Sequence, residues 1–427
     1  MIERHTLDNG LTVLLKESHA APLITWWVVY RVGSRCERTG QTGISHWVEH
    51  MLFKGTPTYP AGYLDKAIDR AGGTWNAHTW LDHTAYHATL PAERIDLALD
   101  LEADRMTNAQ FDPAEVESER TVIISERQGS ENSPLFWLRE AVQAAAFRVH
   151  PYHHTIIGDT SDLQSMTRDD LYGHYQHHYM PNNAVAIAVG AFDSATMLER
   201  IKAVYGDIPA GTLPSPFTRP EPPQQGERRV HIERPGNANY VQIAYHAPAF
   251  GDPDWFKLAT LDSILGGPGG PGGGAIGYRT SRLYRHLIET EIAAGASGDL
   301  SMTADPFLYK LTAVLRDGRH HAEAEAVILE QIDRLQNDWV SEAELRKAKK
   351  QARAAFAYSN ERVGGQAYYL SYAETIDSYQ LFLTYPDQIE AITAADIQAV
   401  AQHYLQPRQR TVGWFIPQVV SNAPYPR

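Results

Sequence analysis

The sequence predicts an α+β protein of two homologous domains, each a mainly antiparallel sheet covered by helices. Three observations carry that expectation. Strand-like and helix-like runs alternate along the chain: residues 23–32 and 184–189 are rich in β-branched and aromatic residues, whereas residues 92–106 and 322–339 keep a helical period. Residues 206–228 are dense in Pro and Gly, lie near the midpoint and read as an extended linker. A helix, a Pro-containing turn and a buried strand recur at the end of each half, in residues 169–190 (DDLYGHYQHHYMPNNAVAIAVG) and 395–416 (ADIQAVAQHYLQPRQRTVGWFI). Chance likeness between two such units is the competing explanation. The expected division is residues 1–205, a linker at 206–228, and residues 229–427; at roughly 150 residues per domain, a 427-residue chain suits two to three domains.

The elements follow in chain order. The start, MIERHTLDNGLTVLLKE, reads as a strand, a turn at Asp8-Asn9-Gly10 and a second strand. It lacks the basic beginning and apolar core of a secretory signal. Between residues 43 and 53 the apolar positions Ile44, Trp47, Val48, Met51 and Leu52 have helical spacing. Residues 115–127, EVESERTVIISER, read as a further helix. Ser341 with Glu344 forms a capping-box pattern ahead of a helix through Phe356, and the helical pattern continues from Asn360.

Composition excludes several classes. A hydrophobic fraction of 43% is enough for proper cores. No run approaches about 18 uninterrupted apolar residues, so no membrane-spanning helix is expected. The single cysteine, Cys36, rules out an intrachain disulfide and suits a reducing compartment, so a cytoplasmic setting is expected and a periplasmic one stays open. A formal charge of −13 disfavours nucleic acid and anionic membrane and favours cationic peptides, with simple solubility as the alternative.

The chemistry concentrates in His46-Trp47-Val48-Glu49-His50. His46 and His50 stand four apart, so they project from one helix face one turn apart. Neutral imidazoles at that spacing can reach one zinc ion. Glu49 sits beside them without having to be a ligand and can take a proton from water that a metal ion has made acidic. His-x-x-Glu-His is the inverzincin signature, although two histidines four apart are more often packed or surface residues. A catalytic zinc site takes three protein ligands, so a third must lie elsewhere. Glu119 and Glu126 stand seven apart, two turns along one face of the 115–127 helix. Either can bind the metal while the other holds a ligand histidine; a solvated acidic helix is the plainer alternative.

With these residues in view, the sequence resembles the pitrilysin–insulysin family of zinc metallopeptidases, and within it the processing-peptidase branch with its bacterial heterodimeric forms. In that family a glutamate about 76 residues after the motif completes the site, and Glu126 lies 76 residues after His50. The resemblance therefore implies His46, His50 and Glu126 as ligands of one zinc ion per chain, Glu49 as general base and Glu119 as a supporting carboxylate. LDNGLTVLLKE resembles the family's opening hairpin, and GGTWNAHT (residues 72–79) with Asp82, Thr84 and Tyr86 resembles its edge strand. By that likeness the backbone around Asn76 and Ala77 pairs with a substrate strand, since an unpaired edge can add a peptide. His150-Pro151-Tyr152 and Tyr179-Met180-Pro181-Asn182-Asn183 agree. The implied form is one half of a clamshell whose closed chamber admits short or unfolded peptides.

Two departures stand out. The family's second half carries an arginine and, seven residues later, a tyrosine that bind substrate and stabilise the tetrahedral intermediate. Here Ile288 and Gly295 occupy those positions. The resemblance then implies a related partner subunit that supplies the pair in a heterodimer; a homodimer using other donors is the alternative. The second departure is LGGPGGPGGGAIGY, residues 265–278. So many glycines oppose regular structure, and the Walker pattern fails because no Lys-Ser or Lys-Thr follows. The stretch, above all residues 266–274, resembles the mobile loop of the non-catalytic processing-peptidase subunit, which implies contact with substrate or control of cavity entry; a plain flexible loop is the alternative. The rival functions are a catalytically inactive, structural core-type subunit and a peptide-binding module that does not cut.

Overall fold

β1 (Ile2–Thr6) and β2 (Thr12–Glu17) pair antiparallel across a turn in which Gly10 adopts φ +85, a conformation that favours glycine. β3 (Leu23–Tyr30), β4 (Thr74–Thr79), β5 (Thr84–Pro91) and β6 (Ala184–Gly190) complete a six-stranded sheet in the order β1-β2-β6-β3-β5-β4. Every neighbouring pair is antiparallel except β2 with β6. β6 reads AVAIAVG and is buried throughout, as suits a central strand covered on both faces. In this computed structural model the described residues are 1–213, 219–267, 269–270, 273–274 and 279–418.

The second sheet is built from β7 (Arg228–Pro235), β8 (Tyr240–Ala247), β11 (Ala293–Leu300), β12 (Phe307–Leu315) and β13 (Arg410–Gln418), in the order β11-β12-β8-β13-β7. Again one pair, β13 with β7, is parallel. Taken by order within each half, the five shared strands follow one path in both sheets, with the last strand inserted between the first and second. The repeated motif is the inserted piece. Thr167 with Asp170 and Thr393 with Asp396 form capping boxes; the helices Arg168–His178 and Ala394–Tyr404 follow, then the turns Pro181–Asn183 and Pro407–Gln409, then β6 and β13.

The helices that matter to the site are α1 (Ile44–Met51), α2 (Tyr63–Arg70), α3 (Ile95–Asn108) and α4 (Pro113–Glu131); α5 (Pro134–Ala146) follows directly. The chain resolves into two compact units that are not its two halves read end to end. One comprises Met1–Arg127, His154–Arg219 and Ser359–Leu383; the other Gln128–His153, Pro220–Tyr358 and Thr384–Arg427. In the first, Ile24, Trp26, Val28 and Tyr30 of β3 enter one core with α1 and α3, and the helix Val363–Ile376 lies on β3 and β6, its Tyr368 edge-on to Trp27. In the second, α5 lies on β7, β8 and β13. It sits so close that a Cβ on Gly413 would stand 2.4 Å from Val142 and 2.7 Å from Leu138, which reserves that position for glycine.

The helical pattern from Asn360 is interrupted. The helix Glu342–Ser359 stops, and a new one starts at Val363. The reversal brings Gly365 against the previous helix end, where a Cβ would lie 2.1 Å from the Ser359 carbonyl oxygen. In the glycine-rich stretch, β9 (Gly269–Gly270) pairs antiparallel with β10 (Gly273–Gly274). Residues 268, 271–272 and 275–278, on which the expected loop contact with substrate also falls, lie outside the described residues. Among the described residues no helix is long and apolar enough to cross a membrane.

Candidate metal centre

α1 buries Ile44, Trp47, Val48 and Met51, and this anchoring fixes which way its other face looks. His46 and His50 lie on that face with ring centroids 4.6 Å apart. α4 runs opposite, with Val116, Glu119 and Ile123 buried and Glu126 exposed. Glu126 Oε2 stands 3.8 Å from His46 Nε2 and 3.7 Å from His50 Nε2. One ligand atom from each of these three residues lies within 4.8 Å of the other two. Zinc bonds of about 2.0–2.2 Å in a tetrahedron separate ligand atoms by about 3.4 Å, so this donor set fits zinc after a small contraction.

Glu119, two turns back on α4, holds His50: its Oε1 is 2.8 Å from Nδ1. A proton on Nδ1 facing that carboxylate leaves Nε2 with its lone pair towards Glu126. Lys54 pairs with the other oxygen of Glu119. Glu49 is buried beside His50, and Thr79 Oγ1 donates to its Oε2 at 2.6 Å.

The titration pattern follows from these contacts. Burial, helped by neighbouring His50, pulls His46 down to about 3, so it is neutral and ready to coordinate at ordinary pH. Burial acts the same way on His50, but its bond to Glu119 and the charges of Glu126 and Glu49 outweigh it and leave His50 above its usual value. Burial also raises Glu49, against the opposing hydrogen bond from Thr79. Burial pushes Glu119 up, yet His50 and Lys54 together bring it below the usual carboxylate range.

Asn76 and Ala77 lie on β4, which ends the sheet and pairs only with β5 among the described residues. Trp80 N donates to His83 O at 2.8 Å, closing the β4–β5 turn and setting the alternation of the ladder. By that alternation the backbone groups of Trp75, Ala77 and Thr79 face the free edge, and those of Asn76 face β5. Ala77 N accordingly donates to the Asn76 side chain, at 2.9 Å. Thr79 and Lys54 escaped the sequence reading. The period of two along β4 places Thr79 on the same face and edge as Ala77, and Lys54 stands one turn beyond His50. In the other unit, Ile288 ends a single π-turn, Tyr284–Ile288, and Gly295 follows an irregularity in β11. Arg282 makes two bonds of 2.9 Å to Glu344.

Two sheets of one topology, with an inverted His-x-x-Glu-His helix facing a distant glutamate, define the class of inverted-motif metallopeptidases. Residues 12–160 match the family model described as insulinase (peptidase family M16), and residues 165–352 match the one described as peptidase M16 inactive domain. The chain belongs to the M16 peptidase family. It is 29% identical to the zinc protease PqqE of Helicobacter pylori over 97% of this chain and 93% of that protein. It is 28% identical to a probable mitochondrial-processing peptidase subunit beta of Arabidopsis thaliana over 94% of this chain and 75% of that one. The crystal structure of a protease from Helicobacter pylori superposes with a TM-score of 0.92 at 28% identity, covering 98% of this chain and 99% of that one.

Proposed function

We propose that the chain is a zinc-dependent endopeptidase subunit acting on short or unfolded peptides. His46, His50 and Glu126 hold one zinc ion per chain, Glu49 is the general base, and Glu119 keeps His50 in the coordinating tautomer. The supporting observation is the convergence of two Nε2 atoms and one carboxylate oxygen with a buried glutamate beside them. When bound, the ion supplies Lewis acidity that acidifies water and polarises the scissile carbonyl. Glu49 takes the proton of the attacking water and returns it to the leaving amine. Its raised affinity for a proton suits the second half of that cycle, and Thr79 holds the carboxylate in one orientation. A peptide strand adds along β4 at Ala77, flanked by Asn76. Because Thr79 on the same strand touches Glu49, that register carries a peptide bond towards the base.

In this reading the metal-bearing half, residues 1–205, and the homologous half, residues 229–427, form one side of a closed chamber. A related partner subunit supplies the arginine and tyrosine absent at Ile288 and Gly295; the relatives named as beta subunits support a partner of that kind. Metal analysis and cleavage assays test it together. The expected results are one zinc per chain, lost in His50→Ala, and peptide cleavage abolished in Glu49→Gln with zinc and peptide binding retained. Wild-type turnover by Glu49→Gln would sink the mechanism, and high turnover by the purified chain alone would sink the partner. The absence of polar side chains at Ile288 and Gly295 also favours a second reading, a peptide-binding subunit that does not cut. Zinc and peptide binding without turnover in any mixture would establish it.

A further inference from the structure

We propose that Glu37 is a positioning residue for this metal centre, acting through the first turn of α1 rather than touching ion or substrate. The inference rests on the zinc reading above. The first amides of a helix need acceptors, usually from a Ser, Thr, Asp or Asn at the cap. α1 has none. Its cap is Gly43, at φ +87, where a Cβ would stand 2.5 Å from the Ile157 carbonyl oxygen. Glu37 does the work from six residues upstream: Oε2 accepts from Gly43 N at 2.8 Å and Oε1 accepts from Ser45 N at 2.9 Å. Its buried carboxylate lies at the positive end of the helix, and His154 Nε2 makes a third bond to it at 2.9 Å.

His154 opens a segment that grips both halves of the site. Asp162 accepts from Thr42 N at 3.0 Å and Thr42 Oγ1 at 2.7 Å, and Asp159 N donates to Thr42 Oγ1 at 2.8 Å, all just before α1 begins. Between them, the Gly158 carbonyl accepts from Arg127 Nη1 at 2.5 Å. Arg127 directly follows Glu126 on α4. One segment, residues 154–162, thus holds α1 by its start and α4 one residue beyond its ligand. The gap between the two histidines and Glu126 is set by that shared hold, and Glu37 joins it to α1.

The test is zinc affinity of the full chain, measured by competition with a chromophoric chelator well below the unfolding temperature, in wild type, Glu37→Gln and His154→Ala. Gln keeps the shape of Glu37 but turns an NH2 group towards one of the two α1 amides. Groups bonded directly to metal ligands contribute about 10–100-fold in affinity; Glu37 acts one step further out, so a loss at the low end of that range, about tenfold, is expected for Glu37→Gln, with a smaller loss for His154→Ala and faster hydrogen exchange at Gly43 and Ser45. A lower melting temperature with wild-type zinc affinity in Glu37→Gln would overturn the inference and leave the zinc reading standing. A wild-type chain that takes up no zinc overturns both. If Glu37→Gln does not fold, His154→Ala decides: weakened affinity supports the inference, and unchanged affinity overturns it.

Discussion

Thr79 is a small residue with a large expected effect, because it donates the 2.6 Å bond that opposes the burial of Glu49. A hydrogen bond to the charged form lowers a carboxyl pKa, so Thr79→Val raises that of Glu49 further. The acid limb of the activity profile should move to higher pH with zinc content unchanged; an unmoved limb would detach Thr79 from the base. On the zinc reading, metal uptake should have its own pH dependence. His46 resists protonation until about pH 3, so the competing proton on acidification sits on His50, whose pKa is raised. Zinc affinity should fall about tenfold per pH unit below that raised value, starting above the ordinary 6.5. In the metal-free chain the same raised pKa stabilises the fold below pH 6.5, and that contribution is lost as the pH rises through the folded value. Glu119→Gln removes the anionic partner, so the onset of zinc loss should shift to lower pH while affinity at pH 8 drops about 10–100-fold; titration with a competing chelator at several pH values measures both. The histidine pair was readable from its four-residue spacing. The distant Glu126 was separated from Glu119 only by family resemblance, because 75 intervening residues carry no local signal of proximity. The Thr79–Glu49 contact was hidden for the same reason.

Among the elements, β4 offers the sharpest test. Its alternation leaves the Ala77 N–H facing the free edge, where it donates to the Asn76 side chain, so Ala77→Pro deletes a donor that a peptide can take over from that side chain, without breaking a β4–β5 bond. One lost hydrogen bond of about 0.5–1.5 kcal/mol should raise KM about 2–10-fold, with zinc content and melting temperature close to wild type. An unchanged KM would remove β4 as the docking strand. Most elements were visible in the sequence as periodicity or turn chemistry, including the hairpin at Asn9-Gly10 and the repeated helix–turn–strand unit. The break before Val363 was not. It is imposed by where the chain must go next and leaves only Gly364-Gly365 as a local trace, whereas residues 360 onward still carry a helical pattern.

At the scale of the molecule, each half of the sequence lends a segment to the other's unit. α5 covers the second sheet, and Val363–Ile376 covers the first. Separate fragments 1–213 and 219–427 should therefore each lack a cooperative thermal transition, and mixing them should restore one; a fragment 1–213 that melts cooperatively by itself would disprove this mutual dependence. Composition and a Pro-rich midpoint mark a chain of two similar parts, but periodicity does not tell a helix which sheet to join. The loan also orders events during synthesis. The strands of the first sheet have all been made by residue 190, yet Val29 and Ile187, both fully buried in the folded protein, wait for a lid that leaves the ribosome some 170 residues later. The first unit is begun first and finished nearly last, so a nascent chain of this kind exposes a finished but uncovered sheet while about 170 further residues are made, and is a natural client for chaperones.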